Sequence, residues 1–119
     1  MAVHNAIGKR GEELAKAYLL KNRYEILESN WRYRRAEVDI IAMDGPIMVF
    51  VEVKTRTSEK FGKPEEFITA QKEAFLSDAA SAYMEKSGHD WEIRFDFISI
   101  IIQSDQHYSL EHFKDAFFY

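Results

Sequence analysis

Apolar and polar positions follow more than one rhythm along this chain, and the rhythm changes at a few sharp punctuation points. The densest apolar run is Val49-Phe50-Val51-Glu52-Val53-Lys54-Thr55. β-branched and aromatic residues dominate it and neither Gly nor Pro interrupts it, so it predicts a strand. Its alternation is incomplete. Val49, Val51 and Val53 make one face apolar, while on the other face Met48 and Phe50 are followed by Glu52 and Lys54. An apolar run of this kind belongs to a central strand covered on both sides. A carboxylate and an ammonium at its end are costly to desolvate without partners, and a divalent metal and a phosphate would suit them.

Residues 5–21 change to helical spacing. Gly8, Glu12, Ala15 and Leu19 share one stripe, with Gly11, Leu14 and Tyr18 beside it, and Asn5 is a suitable cap. Glu12 falls on or next to the buried face and Glu13 points outward. Gly8 and Gly11 each cost a helix about 1 kcal/mol against Ala, so a close approach of another backbone or a ligand is expected there. Residues 24–33 and 36–43 read as the next two strands. Asp44-Gly45 reverses the chain. Pro46 cannot donate to a ladder, which favours a four-residue loop over residues 43–46 to a tight two-residue one. Both loops set Glu37 opposite Glu52 and Asp39 opposite Phe50, diagonal to Glu52. Asp39, Glu52 and Lys54 then share one face, whereas a three-residue loop would send Asp39 to the other.

Beyond a polar loop over residues 56–64, Pro64 is expected to open a long helix to about Lys86, with Glu65 and Glu66 at its positive end. Ile68, Gln71, Phe75, Ala79 and Ala82 mark its inner stripe, and Gly88 ends it. Residues 91–102 form a last long strand, apolar on both faces. Residues 108–119 form a short edge strand or a turn of helix. The order α-β-β-β-α-β, with a final short strand, predicts an α/β fold with a mixed central sheet flanked by helices.

The length of 119 residues fits a single domain spanning 1–119, and 46% hydrophobic with 14% aromatic residues fits a packed globule. No apolar run approaches the roughly 20 residues of a membrane span, and the first residues carry no basic-then-apolar leader pattern. A cytoplasmic location without a membrane partner is therefore expected. The absence of cysteine excludes disulfides and thiolate metal sites. The net charge of -4 argues against strong non-specific nucleic-acid binding, although local patches matter more than the sum. Such a patch exists. Arg32, Arg34 and Arg35 precede the first acid-bearing strand, and Lys54, Arg56, Lys60 and Lys63 surround the end of the second. The arginines and the last three of these residues are candidate DNA contacts.

Phosphodiester hydrolysis needs a hard divalent cation held by oxygen ligands, a positioned water and a cation beside the developing charge. Asp39 and Glu52 on adjacent strands can clamp Mg²⁺ (or Mn²⁺), with the Val53 carbonyl as a third ligand. Lys54 lies on the same face about 7 Å further along, placed to orient a water or steady a phosphate. Glu12 can complete an outer shell or act on the water.

Asp39 followed by Glu52-x-Lys54 on a hairpin, after a helix bearing Glu12, resembles the PD-(D/E)xK nuclease superfamily. Gly8-x-x-Gly11-Glu12-x-x-Ala15, Glu37-Val38-Asp39-Ile40-Ile41-Ala42, Phe50-Val51-Glu52-Val53-Lys54-Thr55-Arg56, Lys72 and Arg94-Phe95-Asp96 together resemble the YraN family. These are small bacterial proteins described as predicted endonucleases, similar in fold to archaeal Holliday junction resolvases. The resemblance implies a restriction-endonuclease-like core and a Mg²⁺-dependent endodeoxyribonuclease acting on DNA, including branched DNA. It makes Asp39 and Glu52 metal ligands, Lys54 the catalytic cation and Glu12 the helix-borne acid, with Gln71 or Lys72 in support. Ala36 departs from the family, which usually has Gly before Glu37. By analogy, a symmetric branched substrate suits a homodimer.

Plainer roles compete at several positions. Glu37 is in register to ligate and equally placed to pair with Arg34, Arg35 or Lys54. Glu12, Gln71 and Lys72 also fit plain helix positions, and the arginines a solvated turn. Arg94 and Asp96 are expected to pair with each other or with the first helix. His4, His89, His107 and His112 lack metal spacing and are expected at the surface. The aromatic C-terminus fits core or a dimer contact. Two other functions follow from these readings: a nucleic-acid-binding module that cleaves little, and a protein-interaction domain using the aromatic tail.

Overall fold

The computed structural model describes residues 2–57 and 68–118, with side chains from residue 6 onward. Helix α1 (Ala2–Lys21) leads into strands β1 (Glu25–Tyr33), β2 (Ala36–Asp44) and β3 (Ile47–Arg56). Helix α2 (Ala70–Ser87) then precedes β4 (Ile93–Ile102) and β5 (Tyr108–Phe113). The five strands form one sheet in the order β1-β2-β3-β4-β5. Every neighbouring pair is antiparallel except β3–β4, which is parallel and joined through α2. The expected mixed α/β sheet with flanking helices is therefore present, and the C-terminal segment contributes its edge strand.

The two helices cover opposite faces. On the α1 side Ala15 and Leu19 pack against Ile40, Ala42, Val49, Val51, Ile98 and Ile100. On the α2 side Leu76, Ala79, Ala80 and Tyr83 pack against Val38, Ile41, Met48, Phe50 and Phe97. β3 contributes to both clusters, as its doubly apolar sequence requires. Phe117, in the C-terminal segment after β5, is 2% exposed and joins the α2-side core.

Three local expectations are corrected. α1 already starts at Ala2, so Asn5 lies within the helix and not at its cap. Pro64, Glu65 and Glu66 lie outside the described residues, and α2 begins only at Ala70. Thr69 is its N-cap, in extended backbone (φ -115, ψ 160), with a side chain that accepts from the Lys72 N–H. A threonine at that position satisfies an otherwise orphaned donor, which a proline cannot do. The inner stripe of α2 centres on Leu76, Ala79, Ala80 and Tyr83, which leaves Gln71 exposed and Phe75 and Ala82 half-buried. Gly88, in left-handed geometry (φ 74), ends the helix as expected.

The β2–β3 hairpin is also in a different register. Asp44 pairs with Ile47, so the loop is Gly45-Pro46. Gly45 has φ 60, as a glycine at the first loop position of a type II′ turn requires. Placing Pro46 in the loop frees the ladder from a residue without an N–H. Glu37 therefore does not face Glu52, and Asp39 does not face Phe50, whose partner is Ile41. The change is an even number of positions, so Asp39 stays on the side of Glu52 and Lys54.

Of the two glycines in α1, only Gly11 has a close neighbour. A Cβ built there would overlap the Thr55 side chain on β3, whereas one at Gly8 meets nothing within 4 Å. Gly11→Ala should therefore destabilise the protein by about 1–3 kcal/mol through overpacking. Gly8→Ala should stabilise it by about 0.5–1 kcal/mol through helix propensity. Urea unfolding of the two variants beside wild type checks both signs.

Candidate functional site

Strand β2 is irregular on both flanks at one residue. Its ladder with β3 runs from Asp44–Ile47 to Ile40–Val51 and stops there. Its ladder with β1 includes Ser29–Ile40 and Trp31–Val38 but passes over Asn30 and Asp39. Asn30 has φ 51, a left-handed conformation that asparagine tolerates better than most residues. Alternation slips at the same place: Val38 and Ile41 both pack on the α2 side, while Ile40 packs on the α1 side. Asp39 sits in this fault, and its Oδ2 accepts a 2.7 Å hydrogen bond from the Val53 N–H.

Around Asp39 the structure gathers acids. Burial, with Glu52, Glu12 and Glu37 nearby, pushes its carboxyl up to about 8 against the opposing pull of the Val53 N–H. Glu12 is also raised, first by burial and then by Glu37, with Lys16 and Asn30 acting in the other direction. Glu12 Oε1 is buried without a hydrogen-bond partner among the described residues. Two of the acids have cations of their own. Lys72 Nζ lies 2.8 Å from Glu52 Oε1, and Arg32 Nη2 lies 2.8 Å from Glu37 Oε2. The second pair is open to water, with 76% of the Arg32 side chain exposed, and contributes little.

A cleft of about 380 Å³ opens between the sheet and the first turn of α2. Glu37, Asp39 and Glu52 line it from the strands, Gln71 and Lys72 from the helix, and Arg35 from the β1–β2 turn. Four sequence candidates thus join Asp39 and Glu52 around one space. Glu12 approaches electrostatically from α1 without lining the cleft. Lys54 is half-buried on β3, beyond the cleft wall. Val53 contributes its N–H to Asp39 and packs its side chain on the α1 side.

The basic candidates separate. Arg34 is exposed, with φ 57 and its guanidinium 5.1 Å from the Tyr33 ring centroid. Arg56 is only 8% exposed and its Nη2 donates to Ser99 Oγ, so the expected DNA contact there is corrected to an inward-facing side chain. Lys60 and Lys63 lie outside the described residues. Ala36 is buried and not among the positive-φ residues, so its side chain meets no backbone strain.

A second polar network lies apart from the cleft, between α1 and the β4–β5 end of the sheet. Asp96 is fully buried; Arg94 donates to both of its oxygens, His112 Nε2 lies 2.7 Å from Oδ2, and the Asp115 N–H donates to Oδ1. Burial would raise the Asp96 carboxyl, but these hydrogen bonds outweigh it and hold it low. Arg94 also reaches Asp44 and the Tyr24 hydroxyl. The expected Arg94–Asp96 pairing is present. The surface position expected of His112 is corrected: its side chain is 4% exposed, and its Nδ1 lies 3.0 Å from the Tyr18 hydroxyl. The alternation of β5 could have signalled this, because His112 shares the inward face of Leu110.

The donor set fits a hard divalent cation. Asp39, Glu52 and Glu12 offer only oxygens, the Glu12 Oε1 is without a partner among the described residues, and an ion would favour the charged carboxylates of Asp39 and Glu12 that burial and crowding disfavour. No three His, Asp or Glu side chains among the described residues cluster closely enough to hold an ion by themselves. Two carboxylates with a main-chain carbonyl and waters is the kind of shell Mg²⁺ accepts.

Fold and site together define a mixed α/β protein with an acid-lined cleft between its sheet and its second helix. Residues 11–100 match the model of the Uncharacterised protein family UPF0102, and the chain belongs to that family. A UPF0102 protein of Christiangramia forsetii is 48% identical over 119 residues, covering 100% of this chain and 99% of the relative. One of Flavobacterium psychrophilum is 44% identical with the same coverage. One of Geobacter metallireducens is 46% identical, covering 98% of this chain and 97% of the relative. Of the two expected resemblances, the one to the family of small bacterial proteins is shown by these matches. No helix among the described residues is long and apolar enough to cross a membrane.

Asp39 gives the fold a distinctive pH response. An aspartate raised to about 8 in the folded protein, against 3.8 as its ordinary value, holds a proton that the unfolded chain has released. Its contribution to stability therefore falls as pH rises from about 4 to about 8. Asp39→Asn keeps an acceptor for the Val53 N–H and should flatten this decline, giving a variant more stable than wild type at pH 8–9. Urea midpoints in chelator across this range measure it.

Proposed function

We propose that this protein is a divalent-metal-dependent endonuclease of the PD-(D/E)xK type, hydrolysing DNA phosphodiester bonds, with branched or flapped DNA as the preferred form. The observation that carries the reading is the half-buried Asp39 carboxyl, held beside Glu52 at a cleft that Lys72 and Arg35 also line. Asp39 and Glu52, with the Val53 carbonyl, would hold Mg²⁺ or Mn²⁺. An ion held there would supply positive charge for the phosphoryl oxygens and would acidify a water. Asp39 is fixed by the Val53 N–H, so its free oxygen has a defined direction. Glu12, with an unsatisfied oxygen, is suited to accept a proton from water at the α1 side. Lys54 steadies the phosphate from β3. Arg35 and Arg34, at the turn beside the cleft, take flanking phosphates, which fix position more than sequence. A homodimer would match a symmetric junction, and DNA in the cytoplasm is the partner.

A DNA-binding module that cleaves little is the second reading. It is favoured by the Lys72–Glu52 pair, which already neutralises one expected metal ligand, and by the lack of a three-acid cluster among the described residues. It predicts salt-dependent binding without turnover.

Purified protein incubated with Mg²⁺ or Mn²⁺ on linear, flapped and four-way DNA separates the two. Cutting is expected, and Asp39→Ala, Glu52→Ala and Lys54→Ala should each slow it by about 10²-fold or more. Equal cutting by Asp39→Ala and wild type would remove the catalytic assignment.

A further inference from the structure

Inside the cleft, Glu52 already has a cation. Lys72 Nζ lies 2.8 Å from its Oε1, and the two side chains are 32% and 14% exposed. The root of Lys72 is fixed, because its main-chain N–H donates to Thr69 Oγ1 at the cap of α2. Its tip is not fixed in the same way. A four-carbon stem carries a compact ammonium with rotatable donors, and a third of the side chain meets water. Glu52 is the more enclosed partner, on a strand whose parallel ladder with β4 runs through it at Phe97.

We propose that Lys72 is a stand-in cation that yields Glu52 to the divalent ion and then turns its freed ammonium to a phosphate of the bound strand. This rests on the metal-dependent reading above. An ammonium and a divalent ion compete for the same carboxylate oxygen, and two cations a few ångströms apart repel. Lys72 therefore leaves Glu52 as the ion is taken up. It does not leave the cleft, because the first turn of α2 lines the same space through Thr69 and Gln71. A phosphate arriving there offers the displaced amine a new anion. The resting protein thereby keeps one acid of a crowded group neutralised without a metal, while Asp39 relies on a main-chain N–H and Glu37 on Arg32. A plain structural tie between α2 and β3 is the competing role, and it gives the opposite sign in binding.

The test is Mn²⁺ alone, titrated by calorimetry into metal-free wild type and Lys72→Met, with Lys72→Gln as replacement should the first variant not fold. Removal of the competing amine should tighten Mn²⁺ binding by on the order of tenfold, whereas loss of a structural tie leaves it equal or weaker. A second readout needs no variant. Reductive methylation of Lys72 in wild type, followed by mass spectrometry, should quicken several-fold when Mn²⁺ is added and slow again with a short DNA duplex. Equal or weaker Mn²⁺ binding by Lys72→Met, or methylation indifferent to Mn²⁺, overturns the exchange, and methylation that DNA does not slow overturns the turn toward phosphate. Mn²⁺ binding to neither protein removes the metal reading itself, an outcome distinct from equal binding to both.

Discussion

One hydrogen bond governs how this sheet makes a site: the Val53 N–H donated to the Asp39 carboxylate. A buried main-chain donor must be paired. Up to Ile40–Val51 the β2–β3 ladder does this, and one step further a side chain takes over from the backbone. The substitution lets β2 stop pairing with β3 while leaving no orphaned N–H at Val53. It also draws a carboxyl group into an enclosed position beside three other acids, where its charged form is disfavoured. The cleft, the crowding of negative charge and the need for a counter-cation all follow from that exchange.

The two enclosed aspartates of the fold show how surroundings separate roles. Asp96 is the more deeply buried, yet Arg94, His112 and a main-chain N–H hold it charged. It ties β4 to β5 and, through His112 and Tyr18, to α1. Asp39 has acids for neighbours and one N–H for support, so burial wins. A carboxyl that is satisfied on all sides is a structural fastener, whereas one held against its preference beside a cleft is the better candidate for chemistry.

Much of this is legible in the sequence. The doubly apolar β3 announces a central strand, and because the hairpin register differs from the expected one by an even number of positions, Asp39 stays on the side of Glu52. Gly88 and Gly11 mark a cap and a close approach, for reasons a sequence carries by itself. Other features depend on choices that local pattern does not decide. Gly45 and Pro46 fit a tight loop better than Asp44 and Gly45, but only knowledge of the main-chain angles separates the two. Pro64 is the expected helix start, whereas the cap is Thr69, settled by its hydrogen bond from the Lys72 N–H. The fault at Asn30 and Asp39 breaks strict alternation, so period-two reasoning carries past it. Lys72 reaches Glu52 across 20 residues of chain, and side-chain pairs of that kind are visible only in the folded arrangement.

The connection through α2 has a consequence for how the chain finds this arrangement. Strands β1, β2 and β3 pair only with sequence neighbours among themselves, whereas β4 must wait for a crossover carrying α2. Short closures cost less chain entropy and tend to form first. Asp39 and Glu52 therefore lie in a meander whose pairings are local in sequence, whereas Lys72 comes from the crossover. Taken alone, that meander sets the Asp39 carboxyl beside Glu52 with no amine from α2, an electrostatic penalty that protonation of Asp39 or the apolar face must offset. Docking of α2 relieves it, which couples completion of the core to neutralisation of the cleft.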